Sequence, residues 1–217
     1  MNHDQLMKCA KQHKIKNIYS NEDDFTLCQC SYDLIYILEK LLPEHTFSLK
    51  KYLTLPEIEA FCGAPISPCF SDRKIIPDGG IIWMDGKYPL LMSEIKRQGT
   101  NNELEIKQPT GNAIERYGKN LNVAERMFRN EYILPVVMFC WGCDFAADQM
   151  TTLAKLYELN YLYDCNKKYY ATCKGIKPSN IFYQEKRWEK SQIIDIEIDL
   201  AFHYVQYYLE KEEKCPI

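Results

Sequence analysis

Apolar residues early in the chain recur at helical spacing. In YDLIYILEKLL, residues 32–42, they fall three and four apart and the run stops before Pro43, so the segment predicts a helix with Ser31 as its N-cap. Residues 44–74 are mixed, are interrupted by Pro56, Pro65 and Pro68, and hold one short helical candidate, LPEIEAFCG. From residue 75 the period changes to that of strands. KIIPDGGIIWM is apolar around a glycine pair, Asp85-Gly86 is a tight-turn signal, and KYPLLMSEIKR resumes the extended run, which together predict an antiparallel hairpin. After a polar loop containing Pro109, GNAIERYGKNLNVAERMFRNE reads as a helix with Ile114, Tyr117, Leu121, Ala124 and Phe128 along one side. A buried strand follows at 133–141, then a helix around 148–162, a strand in SQIIDIEIDL where isoleucine alternates with acid, and a tyrosine-rich terminal helix. Strands and helices interleaved in this way predict an α/β domain, a mixed central sheet flanked by helices.

No internal repeat or low-complexity linker divides the 217 residues. The expected organisation is one domain over 1–217, with a helical N-terminal part at 1–70 and a catalytic and recognition core at 75–141. Sixteen tyrosines and nine phenylalanines argue against disorder. The longest apolar run, ILPVVMFCW, falls short of the roughly 20 residues that a membrane helix needs. The first residues, MNHDQLMKCAKQHK, are polar and do not resemble a signal peptide, so the ten cysteines are expected to be mostly reduced thiols in a cytoplasmic protein. Cys140 and Cys143, with Cys165 and Cys173 downstream, lack the second tight pair of a zinc site.

The formal charge of −3 conceals an uneven distribution. Residues 8–16 carry four lysines and no acid, and residues 96–129 carry Lys96, Arg97, Lys107, Arg116, Lys119, Arg126 and Arg129 among four glutamates. A basic face on a near-neutral protein and an ordinary mixed-charge surface both fit this pattern.

The chemistry concentrates in PDGGIIWMDGKYPLLMSEIKRQ, residues 77–98. A hairpin folds Asp78 back toward Glu94, and Lys96, two positions after Glu94, points to the same strand face. Two hard-oxygen carboxylates suit Mg²⁺, which retains waters and takes substrate phosphate as a ligand. With an ammonium beside them they suit phosphodiester hydrolysis, Lys96 positioning the water and stabilising developing negative charge. The blander alternative is a turn aspartate and a surface Glu-Lys pair that contributes little.

GNAIER, residues 111–116, places Asn112 and Arg116 four apart near a helix N-terminus. Asparagine pairs bidentately with adenine, arginine reads purine edges, and a helix N-terminus favours phosphate. Alternatively Asn112 is simply a cap and Glu115-Arg116 an ordinary surface pair.

Taken in order and spacing, PDGG, SEIKRQG and GNAIER resemble the EcoRI-type (EcoRI/MunI-like) type II restriction endonucleases of the PD-(D/E)xK superfamily. The likeness rests mainly on residues 75–130, with a weaker echo in VVMFCWGCDF and in KRWEKSQIIDIEID. It implies a restriction-endonuclease-like fold and a homodimeric, Mg²⁺-dependent enzyme that cuts palindromic double-stranded DNA containing AATT and leaves 5′ overhangs. It further implies a methyltransferase in the host to protect its DNA. By the same resemblance Asp78, Glu94 and Lys96 are catalytic, with Asp78 and Glu94 holding the metal. Asn112, Ala113 and Arg116 read the central bases, Glu115 braces the arginines, Gln98 approaches a base or buttresses the site, and Glu39 is a supporting acid from the early helix. Relatives read an outer base pair with arginines. At the corresponding positions this chain has Thr110, Gln149 and Thr152, which points to AATT itself as the site. Two rivals are a DNA-binding protein that has lost catalysis and a structure-specific or repair nuclease on the same fold.

Overall fold

The computed structural model describes residues 18–66, 74–97, 112–142, 150–172 and 175–214. Helix α1 (Ile18–Leu41) is followed by strands β1 (Phe47–Lys50) and β2 (Leu53–Thr54), helix α2 (Leu55–Cys62), and strands β3 (Lys74–Ile75), β4 (Ile81–Met84) and β5 (Tyr88–Arg97). Helix α3 (Asn112–Met127), strand β6 (Val136–Trp141), helix α4 (Met150–Leu159), strand β7 (Asn180–Gln184) and helix α5 (Lys190–Lys214) complete the order.

The main sheet runs β1-β4-β5-β6-β7. Its first two pairings are antiparallel and its last two parallel, so β5 is the hinge between the two patterns. This is the mixed α/β architecture of the restriction-endonuclease-like fold. The predicted hairpin forms, and Asp85 and Gly86 both adopt the positive φ that its tight turn requires, 54° and 63°. Asp85 is braced there, its carboxylate accepting bonds from the Thr46 backbone N–H and hydroxyl while contacting the His45 ring. The short helix predicted in LPEIEAFCG is α2. It opens with the Glu57 carboxylate accepting from the backbone N–H and hydroxyl of Thr54, and it ends at Gly63 with φ 68°.

Adjacent residues of a strand point to opposite faces. Ser93 contacts Glu197 of α5 and Glu94 contacts Asn120 of α3, so these two helices cover opposite faces of β5. Helix α1 packs beside α5. The core between the layers includes Leu27, Leu34 and Leu38 of α1, Leu91 and Ile95 of β5, Tyr117 and Leu121 of α3, Val137 and Phe139 of β6, and Tyr204 and Tyr208 of α5. Among the described residues no helix is long and apolar enough to cross a membrane. Cys28, Cys30, Cys62, Cys140 and Cys165 are free thiols, while Cys143 and Cys173 lie outside the described residues.

Two expectations are corrected. Ser31 does not cap a helix. It lies within α1, buried, where its hydroxyl donates to the carbonyls of Leu27 and Gly79 at 3.2 and 2.8 Å. The apolar stripe continues toward the N-terminus through Leu27 and Cys30, and the acidic run Glu22–Asp24 just before it masks it. SQIIDIEIDL is the start of α5, not a strand. Over the longer run Ile193, Glu197, Leu200, Ala201, Tyr204, Val205 and Tyr208 are buried at helical intervals. The two-residue alternation in the first half is local, and the 25-residue helix overrides it.

That correction exposes Glu197 as a fully buried acid. Its Oε1 accepts from the Ser93 hydroxyl at 2.5 Å and its Oε2 has no partner among the described residues. Burial pushes its pKa up to about 8, offset only in part by Ser93. The folded state therefore retains a proton that the unfolded chain releases, and stability falls as pH rises from the ordinary carboxyl value toward 8. Replacing Glu197 with glutamine keeps an acceptor for Ser93 and removes the titration. Thermal melts should show Glu197→Gln gaining in Tm over the wild type progressively between about pH 5 and about pH 8.

Candidate active site

The PDGG turn is shaped by its glycines. Gly80 has φ 79° and its N–H bonds the carbonyl of Pro77 at 3.1 Å, closing the turn. Gly79 lies flat against the core: its N–H donates to the Ser93 carbonyl at 2.9 Å, and its carbonyl accepts from Ser31. A Cβ on Gly79 would stand 2.9 Å from Leu27 Cγ and 3.0 Å from Ser93 Cβ. The loop is thereby pressed onto β5, and the side chain of Asp78 emerges over the residues after Ser93.

Three side chains meet there. Asp78 Oδ2 accepts from the Ile95 backbone N–H at 3.1 Å and from Lys96 Nζ. Lys96 Nζ also donates to Glu94 Oε2 at 2.6 Å. The other oxygen of Glu94, Oε1, accepts from the side-chain amide of Asn120 on α3. The Glu94 and Lys96 side chains are 3% and 14% exposed and that of Asp78 is 21% exposed, so the cluster is open to solvent chiefly on the Asp78 side.

The electrostatics are unbalanced. Burial raises the pKa of Glu94, the like charge of Asp78 raises it further, and Lys96 offsets only part. Burial alone would lower the pKa of Lys96, but Glu94 and Asp78 together hold it above the ordinary lysine value. Two carboxylates share one ammonium, so the cluster retains affinity for a further positive charge.

The donor set fits Mg²⁺. Among the described residues no three His, Cys, Asp or Glu side chains converge as a complete metal cage. Two carboxylate ligands with the remaining positions left to water and phosphate is the ordinary protein arrangement for this ion. Helix α1 adds a further acid. Asp24 has its pKa raised to about 7, first by burial and then by the charge of Asp78, while Lys96 lowers it, so it lies within electrostatic reach of the cluster. Its neighbour Asp23 accepts from the Trp141 indole at 3.0 Å and from Arg187 at 2.7 Å, tying this end of α1 to the end of β6. Arg97, which follows Lys96, stacks over the Trp141 ring at 5.7 Å.

The other expected residues fall as follows. Glu115 and Arg116 are exposed in the first turns of α3. Asn112 and Ala113 open that helix, with side chains outside the described residues, as are Gln98, Thr110, Gln149 and the side chain of Thr152. Glu39 is exposed near the far end of α1, about 22 Å along the helix axis from Asp24. Asp24, not Glu39, is the acid of α1 within electrostatic reach of the cluster, and Asn120 is a contact that the sequence reading missed. A signal for Asn120 existed: it follows Arg116 by one helical turn. Asp24 carried none beyond its place in a short acidic run.

An Asp-Gly-Gly turn and a Glu-x-Lys strand joined by a hairpin, on a sheet that changes from antiparallel to parallel at that strand, define a domain of the restriction-endonuclease-like fold. The chain matches the family model described as restriction endonuclease EcoRI over residues 11–155, and it belongs to that family of site-specific endonucleases, the type II restriction enzymes. A comparison with curated proteins gives no match.

The close fit at Gly79 yields a test. Gly79→Ala should destabilise the protein by about 1–3 kcal/mol, the usual cost of overpacking, because Leu27 and β5 must move to admit the methyl group. Urea unfolding measures it, and an unchanged midpoint would show that the loop is not pinned as described.

Proposed function

We propose that the protein is a homodimeric, Mg²⁺-dependent endonuclease that hydrolyses double-stranded DNA at a palindrome containing AATT, and at AATT itself, leaving 5′ overhangs. The observation that carries this reading is the convergence of Asp78, Glu94 and Lys96 at one face of β5 in a member of the EcoRI family.

Asp78 and Glu94 hold the ion. When bound, Mg²⁺ polarises the scissile phosphate, lowers the pKa of a water and neutralises charge on the leaving oxygen. Lys96 orients the attacking water and stabilises negative charge as it develops on the phosphate. Asn112, Ala113 and Arg116 read base edges in the major groove from the N-terminal end of α3, Glu115 orients the arginines, and Gln98 approaches a base or buttresses the site. A two-fold dimer brings one such centre to each strand of a palindrome. Thr110, Gln149 and Thr152 stand where relatives use arginine for an outer base pair, which is the ground for a four-base site. The same reading places the enzyme in the cytoplasm beside a methyltransferase that modifies host DNA.

Digestion of sequenced DNA with Mg²⁺, beside an EDTA control, should give discrete fragments whose ends map to AATT. A fixed base flanking every cut would replace the four-base site with a longer one. Binding without cleavage would favour a non-catalytic DNA-binding protein, and a smear or junction-only cutting would favour a structure-specific nuclease.

Variants separate the two roles. Asp78→Ala and Glu94→Ala should abolish cleavage and leave duplex affinity intact in metal-free buffer, measured by gel shift. Arg116→Ala should weaken specific binding by about 1–3 kcal/mol, roughly 5- to 150-fold in Kd. If Arg116→Ala binds normally and Asp78→Ala does not, the roles are reversed.

A further inference from the structure

Glu94 is held from two directions. Lys96, on the same strand, donates to its Oε2, and Asn120, on α3, donates to its Oε1. The second bond crosses between elements. Asn120 lies one helical turn beyond Arg116 and two beyond Asn112, so the helix that presents the exposed Glu115 and Arg116 also sets the angle of the buried carboxylate. The rest of the described contact made by α3 is largely apolar, through Ile114, Tyr117, Leu121, Ala124 and Met127. Apolar packing is non-directional and changes gradually when a helix shifts. A hydrogen bond to a carboxylate weakens steeply once its geometry fails, and Glu94 is too buried for water to replace a lost donor readily.

We propose that Asn120 is a positioning residue that couples the seating of α3 on the duplex to the orientation of the Glu94 carboxylate. The proposal rests on the metal-dependent cleavage described above and adds to it a route by which a misread sequence is penalised at the chemical step as well as at binding. A helix seated against the wrong bases shifts relative to β5, Glu94 loses the donor on Oε1, and the pair that holds the ion is misaligned. Carboxylates that bind metal depend on their own hydrogen-bond partners, and removing such a partner typically lowers metal affinity or activity about 10–100-fold. Asparagine serves this position because its amide donates to the carboxylate without adding charge to a site that already carries two acids.

The test compares wild type, Asn120→Ala and Asn120→Asp. Each is incubated in single-turnover conditions with a duplex that the wild type cuts and with the same duplex changed at one base of the site, over a range of Mg²⁺ concentrations. Duplex affinity is measured without metal, and thermal melts report folding. The expected result is that Asn120→Ala melts and binds the duplex as the wild type does, while its cleavage rate falls about 10–100-fold. Its half-saturating Mg²⁺ should rise, and its preference for the cognate over the altered duplex should narrow. Asn120→Asp, which sets a third carboxylate against Glu94, should cleave more slowly still at neutral pH. A wild-type rate and preference in Asn120→Ala would overturn the proposal, as would a loss of binding and cleavage in equal proportion, which marks a purely structural residue. A wild type that cuts no duplex with Mg²⁺ would instead overturn the proposed activity and the coupling with it.

Discussion

The constraint on which the site depends is a charge imbalance in a place with little water. Asp78 and Glu94 both lean on the single ammonium of Lys96. Taking three ionisable groups out of solvent is costly, and mutual attraction repays the cost only when charges and hydrogen bonds are balanced. Here they are not, as the raised pKa of Glu94 records, with burial as its first cause and Asp78 as its second. A cluster built only for stability would be better replaced by apolar residues of similar size. One short of a cation, it is suited to recruiting a positive charge together with a phosphate.

Keeping like charges close requires a rigid frame, and the backbone supplies it. The carbonyl of Ser93 and the hydroxyl of Ser31 hold the N–H and carbonyl of Gly79, and the N–H of Ile95 holds the Asp78 carboxylate. None of these groups can relax far, because β5 lies between an antiparallel neighbour, β4, and a parallel one, β6. The two carboxylates are therefore held close, with Lys96 between them.

Much of this was legible in the residues, for identifiable reasons. The hairpin was readable because strand period and turn chemistry agreed: apolar runs flanked Asp85-Gly86, which takes the tight turn unaided. The pairing of Asp78 with Glu94 and Lys96 followed from that hairpin and from strand alternation. Other features were hidden by competing signals. The isoleucine-acid alternation at the start of α5 imitates a strand, and only the wider spacing to Tyr208 reveals a helix. The early helix was begun too late at Ser31, because Asp23 and Asp24 look like surface residues although Asp23 is buried against Trp141 and Arg187. Strand β7 is five residues, too short to stand out, and it depends on β6 for its place. Glu39 and Asp24 share one helix, and no local pattern says which end of it faces the sheet's reactive edge.

The two acids behind and in front of β5 illustrate how one strand divides its labour. Ser93 points toward α5 and is met by Glu197, and Glu94 points toward α3 and is met by Asn120. Among the described residues Glu197 has one partner and an orphaned oxygen, so burial favours its neutral form, and it can serve as an uncharged hydrogen-bond anchor for the strand. Glu94 is as deeply buried and its pKa is likewise raised, but a lysine and an amide meet its two oxygens, and Lys96 offsets part of that rise. Ser93 and Glu94, neighbours on one strand, are thus met by different polar partners from the two layers that cover it.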